Sequence, residues 1–287
     1  MYSRAHYCTA TPLLCLHATQ SDEIPLVCIP GAGASVTVFI EFVEALGGRW
    51  PAYGLQPCGI NAEEQPHESV EAAALYNLDA LARQNMIRPI HLMGHSHGGL
   101  VAFDMALRLC EQGQSVASLT LIDSDPPDVT GAIARPVETL KIFREFVQVY
   151  DDIFGKSLDI NESVVASLNT QTFLETLHTA LVREKCIPSR SSPYMLSGPF
   201  ATFAAALRTA YCPSRDYPGR LHLVLVRDSH TDEDGNVRRR QLYSAAWRCR
   251  AHELHAWYGP GHHFSILQPP HVHSLASWWR EARETES

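Results

Sequence analysis

A serine lies between two glycines in segment 93–99, which reads MGHSHGG. Gly94 and Gly98 flank Ser96 at two residues on either side, which is the spacing of a sharp turn between a strand and a helix. Such a turn exposes the hydroxyl, strains the backbone and leaves the next amide at a helix N-terminus. The pattern predicts a nucleophilic serine at position 96. Its rival interpretation is an ordinary glycine-rich turn.

A serine hydroxyl is a poor nucleophile unless a histidine base and an orienting carboxylate activate it. Asp123 follows the apolar run Leu-Thr-Leu-Ile, and His263 lies in a glycine-rich loop after the last apolar run. Parallel strands present their carboxyl ends at one edge of a sheet, where catalytic groups collect. The sequence therefore predicts that Ser96, Asp123 and His263 meet at that edge.

From the residues alone, other side chains compete for these roles. Asp125 and Asp128 lie just beyond the first candidate acid, and Asp228 follows a later strand. All three are also explained as turn or loop acids. His262 competes with His263, and because neighbouring side chains point in different directions, only one of them can face the serine. The spacing leaves both choices open.

Backbone amides near the serine could stabilise negative charge on a reacting carbonyl. The small residues of segment 30–34, PGAGA, follow an apolar run and would let the chain approach a substrate closely. The residue after the nucleophile supplies a second amide at the start of a helix. We expect the amides of Ala32 and His97 to form an oxyanion hole.

Short apolar runs alternate with helical patterns along the first half and the last quarter of the chain, which indicates βαβ units around a mostly parallel sheet flanked by helices. The predicted strands are 26–29, 52–55, 90–93, 119–122, 221–226 and 253–257. After Gly98, apolar residues recur at helical spacing. The order of strand, turn and helix around Ser96 is therefore the one that its motif requires.

Strand patterns are absent between about residues 126 and 217, where helical patterns take their place. The helical segments are 137–150, 173–182 and 198–211. We interpret this stretch as a helical lid inserted into a single domain that covers residues 1–287.

Composition narrows the function further. The chain is 45% hydrophobic and 19% charged, and it has a net charge of −8. It contains no run of about 18 apolar residues that could span a bilayer, and its acidity argues against nucleic-acid binding. The basic run 238–240 is interpreted as a solvated helix start. We expect neither a membrane nor a nucleic acid as partner.

Eight cysteines are scattered singly through the chain, which does not resemble the framework of a disulfide-rich secreted protein. We expect free, mostly buried thiols, no secretion signal and a cytoplasmic location.

Two His-x-His pairs raise the alternative of a metal-dependent hydrolase. His95 and His97 form one pair, and His271 and His273 form the other. The first pair is followed by two glycines, which the serine turn explains better. We therefore predict no metal site and no intrinsic cofactor.

With these motifs the chain resembles the thioesterase domains that terminate nonribosomal peptide synthetases and polyketide synthases. The resemblance lies in segments 25–33, 91–106, 121–124 and 261–267. It implies the α/β-hydrolase fold, with the histidine immediately before Phe264 as base and the acid after the strand that follows the nucleophile helix. It thereby selects His263 and Asp123. The chain departs from the family in having Pro30-Gly31 where two prolines are usual, and in having His97 after the serine.

The resemblance also implies the chemistry. Ser96 would take an acyl or peptidyl chain from the phosphopantetheine thioester of a carrier protein, and hydrolysis or cyclisation would release it. Alternatives are an editing type II thioesterase, which usually takes its acid from the position of Asp228, and a generic carboxylesterase. The presence of Asp123 favours the releasing type.

Overall fold

The computed structural model describes residues 11–86, 89–127 and 137–284. Its strands are β1 (Leu13–His17), β2 (Leu26–Ile29), β3 (Ala52–Leu55), β4 (Ile90–His95), β5 (Val116–Ile122), β6 (Tyr217–Arg227) and β7 (Ala251–His262). They form one seven-stranded sheet in the order β1-β3-β2-β4-β5-β6-β7. The β1–β3 pair is antiparallel, and the other described pairs are parallel.

Helices follow most of these strands. They are α1 (Ile40–Ala45), α2 (Val70–Arg83), α3 (His97–Glu111), α4 (Thr139–Phe154), α5 (Glu162–Val165), α6 (Thr170–Arg183), α7 (Ser197–Arg208), α8 (Glu233–Arg248) and α9 (His271–Glu284). The predicted fold class, a mostly parallel sheet flanked by helices, is confirmed.

The central strands are apolar because helices cover both faces of the sheet. Every residue of β2 and β4 is buried. One hydrophobic cluster contains Phe103 and Trp247, and a second contains Phe42 and Trp279. These two layers fix the sheet, and the carboxyl ends of its strands are thereby held in place.

All six predicted strands are present, and the four later ones extend beyond their predicted bounds. Strand β1 was not among the predicted strands. It has a short apolar run, but it lies at the edge of the sheet, its side chains are exposed or half-buried, and it pairs antiparallel with β3. It therefore stands outside the alternation of strands and helices by which the others were recognised.

Helices α4 to α7 follow β5 and precede β6 in the chain, as the loss of strand patterns predicted. They have an apolar cluster of their own, in which the rings of Phe143 and Phe173 stack with centroids 4.0 Å apart. We call residues 137–208 the helical insertion. The predicted last helix extends to 211, but α7 ends at Arg208 and Thr209 is extended. The predicted start near 126 adjoins residues 128–136, which lie outside the described residues.

The prediction of mostly buried thiols is wrong. Seven described cysteines are free, but Cys28 alone among them is buried, and Cys15, Cys212 and Cys249 are exposed. Cys8 lies outside the described residues. In the part of the chain that the structure describes, no helix is both long enough and apolar enough to cross a membrane.

Candidate active site

Ser96 occupies a strained turn between β4 and α3. Its φ of 54° and ψ of −128° fall in a region that side chains rarely adopt, and its amide donates to the carbonyl of Ile122 at 2.8 Å. A Cβ on Gly94 would overlap the carbonyl of Gly98, and one on Gly98 would overlap the carbonyl of Pro30. Both glycines are therefore sterically required, as the motif predicted.

Asp123 and His263 lie in direct contact at the carboxyl edge of the sheet. The Nδ1 atom of His263 is 2.7 Å from Oδ2 of Asp123. Asp123 is 3% exposed, and its amide donates to the carbonyl of Val224 at 2.7 Å. His263 and Ser96 line the same cavity of about 520 Å³. The structure thus brings together the three residues that the sequence predicted.

A half-buried arginine completes the surroundings of Asp123. Arg239 on α8 places Nη2 at 2.9 Å from Oδ1 of Asp123, and its side chain is only 18% exposed. Burial by itself raises the pKa of Asp123, but the hydrogen bond from His263 and the charges of His263 and Arg239 outweigh burial and hold that pKa below its ordinary value of 3.8. The prediction of a solvated basic run at 238–240 is therefore wrong for Arg239.

His95 packs against the candidate base. The two rings of His95 and His263 have centroids 4.6 Å apart, and Nε2 of His95 is 2.9 Å from the carbonyl oxygen of His263. Burial, together with the nearby His263, lowers the pKa of His95 to about 3. The ring is therefore neutral, and since a carbonyl only accepts, Nε2 carries the proton. His95 holds the backbone of the loop that presents His263.

The competing acids are occupied elsewhere. Asp125 accepts a hydrogen bond from the hydroxyl of Tyr243 at 2.7 Å. Asp228 accepts from the amide of His230 at 2.9 Å, which makes it a turn residue. Asp128 lies outside the described residues. Asp123 is thus the acid that meets His263.

The competing histidine is placed differently from its neighbour. The amide of His262 donates to Oγ of Ser265 at 2.9 Å. His262 ends β7, whereas His263 begins the following turn and reaches Asp123. The structure therefore separates the two histidines, which the spacing had left open.

The predicted oxyanion donors lie beside Ser96. A Cβ on Gly31 would come 3.0 Å from that of Ser96, so the loop after β2 rests against the nucleophile. Ala32 and His97 line a cavity together with Ser96. His97 is the first residue of α3, whose first amides lack acceptors within the helix. This placement suits donation to an oxyanion.

Two cavities adjoin Ser96 and share Ala32. The first, of about 520 Å³, contains His263 and aromatic residues of α4, among them Phe146 and Tyr150. The second, of about 660 Å³, lies on the side of His97 and extends along α7 to Tyr211. A substrate bound at Ser96 therefore has room on both sides of the nucleophile.

His97 is one of the residues that line the second cavity. Burial lowers its pKa to about 4, so that the imidazole is neutral at ordinary pH. Among the described residues, no group of three or more His, Cys, Asp or Glu side chains is placed to hold a metal ion.

The model of the thioesterase domain family matches residues 24–281 of the chain. The chain belongs to the thioesterase domain family. This thioesterase is 33% identical over 114 residues to indigoidine synthase of Streptomyces lavendulae, a match that covers 40% of the thioesterase and 9% of the synthase. The thioesterase thus spans less than a tenth of that relative's length.

Two solved structures share the fold. A four-domain nonribosomal peptide synthetase is 20% identical, with a TM-score of 0.77 over 95% of the thioesterase and 20% of the synthetase. The type II thioesterase BorB of the borrelidin cluster is 18% identical, with a TM-score of 0.66 over 96% of this chain and 99% of BorB.

Arg239 was not predicted as a residue of this site. The signal was its spacing on α8: Arg239, Tyr243 and the buried Trp247 recur every four residues, which puts them on one inward face. His95 was considered only as a metal ligand, because nothing in the sequence shows that its ring meets the loop of His263.

Proposed function

We propose that this thioesterase uses Ser96, Asp123 and His263 as a catalytic triad to take an acyl or peptidyl chain from a carrier-protein thioester and release it. The observation that carries the proposal is the 2.7 Å hydrogen bond between His263 and Asp123, beside a cavity that His263 shares with Ser96. Because the chain belongs to the thioesterase domain family, we take the bond that is cleaved to be a thioester.

In the first half-reaction, His263 takes the proton of the Ser96 hydroxyl while Oγ attacks the carbonyl carbon of the thioester. The amides of Ala32 and His97 donate to the oxyanion of the tetrahedral intermediate. When the intermediate collapses, the carbon–sulfur bond breaks and His263 returns the proton to the leaving sulfur. The products are a free thiol and an ester on Ser96.

In the second half-reaction, His263 deprotonates water, or a hydroxyl or amine of the bound chain, which attacks the ester carbonyl. Collapse of this second intermediate breaks the bond to Oγ, and His263 reprotonates Ser96. Asp123 stays ionised throughout and stabilises the imidazolium in both halves. The product is an acid when water attacks and a ring when the chain attacks itself.

The leaving sulfur must lie within reach of His263, because that residue protonates it. His263 lines the cavity next to α4, so we place the phosphopantetheine arm on that side. The acyl chain then extends toward His97 and α7. In this arrangement the helical insertion acts as the lid over both cavities.

We favour assembly lines that make peptides or polyketides as the source of the carrier-protein thioesters. The 32% identity over 108 residues to a dimodular nonribosomal peptide synthase of Bacillus subtilis supports this context. The acid that meets His263 follows β5, whereas Asp228 after β6 is a turn residue. This supports the chain-releasing type over the editing type.

Intact-protein mass spectrometry with a phosphopantetheinyl thioester mimic tests the triad. We expect an acyl adduct on the wild type, none on Ser96→Ala, and almost none on His263→Ala. The matched control is His262→Ala, which removes the neighbouring imidazole and should still form the adduct. Turnover of the thioester by Ser96→Ala would refute the proposal.

The same assay separates the alternatives. A releasing enzyme accepts a long acyl or peptidyl chain from a holo carrier protein, and the mass of the product distinguishes acid from ring. Preference for short acyl groups on the carrier would instead indicate editing. Activity on oxygen esters with none on carrier thioesters would indicate a carboxylesterase.

A further inference from the structure

Arg239 joins three parts of the protein at the back of the candidate triad. Its Nη2 meets Oδ1 of Asp123 at 2.9 Å, and its Nη1 donates to the carbonyl of Val226 at 3.2 Å. The guanidinium also lies over the ring of Tyr243, 4.5 Å from its centroid. These contacts tie α8 to the ends of β5 and β6.

The two carboxylate oxygens of Asp123 have separate partners. Oδ1 accepts from Arg239 and, at 3.3 Å, from the amide of Val226, whereas Oδ2 accepts from His263. Rotation of the carboxylate would break the contacts on both oxygens at once. By binding Oδ1 of Asp123, Arg239 therefore also keeps Oδ2 directed toward the imidazole of His263.

We propose that Arg239 is a positioning residue of the triad, which holds the Asp123 carboxylate toward His263 and offsets part of its negative charge. This inference rests on the triad proposed above. Arg239 lines neither of the two cavities beside Ser96, so its contact with the candidate triad is the one to Asp123. The arrangement sets how strongly the carboxylate favours a protonated His263, and hence the pH at which Ser96 becomes reactive.

Other groups also act on His263, and the test keeps them constant. They are Asp123 just after β5, the neutral His95 at the end of β4, and Asp152 and Tyr150 of α4, which line the same cavity as His263. Arg239 is the cation that contacts Asp123. Removing it leaves this set unchanged.

The test measures the rate at which a fluorophosphonate labels Ser96 as a function of pH, since this probe requires no knowledge of the acyl chain. In Arg239→Met the full charge of Asp123 faces the imidazole and favours its protonated form. We expect the acid limb of the profile to move upward by about 0.5 to 1 pH unit, and the plateau to fall roughly tenfold.

Two further variants complete the design. Arg239→Lys keeps the charge but cannot make the two-point contact to Asp123 and Val226. The pH profile of Arg239→Lys should keep the acid limb of the wild type, but the labelling rate at its plateau should be lower. Arg238→Met removes the same charge from the preceding residue, whose side chain is 71% exposed, and should leave the profile unchanged.

An acid limb that does not shift in Arg239→Met would overturn the proposal, whatever the labelling rate at the plateau. It would indicate that Arg239 contributes only through packing and not through its charge on Asp123. If Arg239→Met does not fold, Arg239→Lys decides, and a wild-type plateau in that variant would contradict the need for a two-point contact. In this experiment, the triad itself is contradicted if the probe does not label Ser96 in the wild type. The two failures are therefore distinguishable.

Discussion

The sheet and the helical insertion hold their residues in different ways. At the edge of the sheet, backbone hydrogen bonds between strands fix the residues of the candidate triad, such as Ser96 to Ile122 and Asp123 to Val224. The insertion depends on aromatic packing, with the stacked rings of Phe143 and Phe173 at its centre.

Few polar contacts link the two regions. Among those of the described residues, Asp152 of α4 pairs with His230 at 3.0 Å. The residues of the candidate triad thus lie on the sheet region, and much of the cavity wall lies on the separately packed insertion. The wall can change without moving the reacting atoms.

Asp123→Asn should give the largest effect, because it disturbs the sheet region where the chemistry occurs. The amide cannot stabilise the imidazolium as the carboxylate does, and we expect the rate of acyl transfer to fall about 10⁴-fold. Steady-state kinetics on a thioester mimic measures the loss. Asp228→Asn is the matched control, and a comparable loss there would reassign the acid.

Phe143→Ala should loosen the insertion and spare the sheet. Truncating a buried aromatic residue costs about 3–5 kcal/mol of local stability. We expect limited proteolysis to cut within residues 137–208 while a fluorophosphonate still labels Ser96. Phe103→Ala, the counterpart in the sheet core, should destabilise the whole protein. Simultaneous loss of labelling in Phe143→Ala would show that the two regions are not separable.

His97→Ala should alter substrate preference without removing the oxyanion donor, which is a backbone amide. A neutral imidazole in the second cavity can exchange hydrogen bonds with an amide or hydroxyl of the acyl chain. We expect kcat/KM to fall about tenfold for a peptidyl thioester. A plain alkyl thioester should be affected much less. Equal losses for both substrates would place the effect on Ser96 instead.

His230→Asn should give the smallest and most pH-dependent effect. The hydrogen bond to Asp152 raises the pKa of His230 above its ordinary value of 6.5. Its stabilising contribution is therefore complete below 6.5 and is lost as pH rises through the raised value. We expect the variant to melt about 1–2 °C below the wild type near pH 6 and equally at about pH 9. A difference that grows with pH would contradict this sign.

Local order in the sequence predicted the central sheet and Ser96, whereas the choice of Asp123 and His263 over their competitors came from the family resemblance. Apolar runs identified the strands, and Ser96, Asp123 and His263 each follow one. The contacts of His95 and Arg239 join segments far apart in the chain. The spacing on α8 places Arg239 on an inward face, but it does not show which residue Arg239 meets. The half-exposed edge strand β1 was not predicted, because it pairs antiparallel with β3 and stands outside the alternation of strands and helices.

Ala32 has a single methyl group, and it lies at the boundary between the two regions. It lines both cavities beside Ser96, and it packs against the apolar cluster of the insertion. The backbone of the same residue is an expected oxyanion donor. Grafting the insertion of another thioesterase onto this sheet would therefore require position 32 to be exchanged with it. A chimera that ignores this residue would carry a foreign lid on a misaligned oxyanion hole.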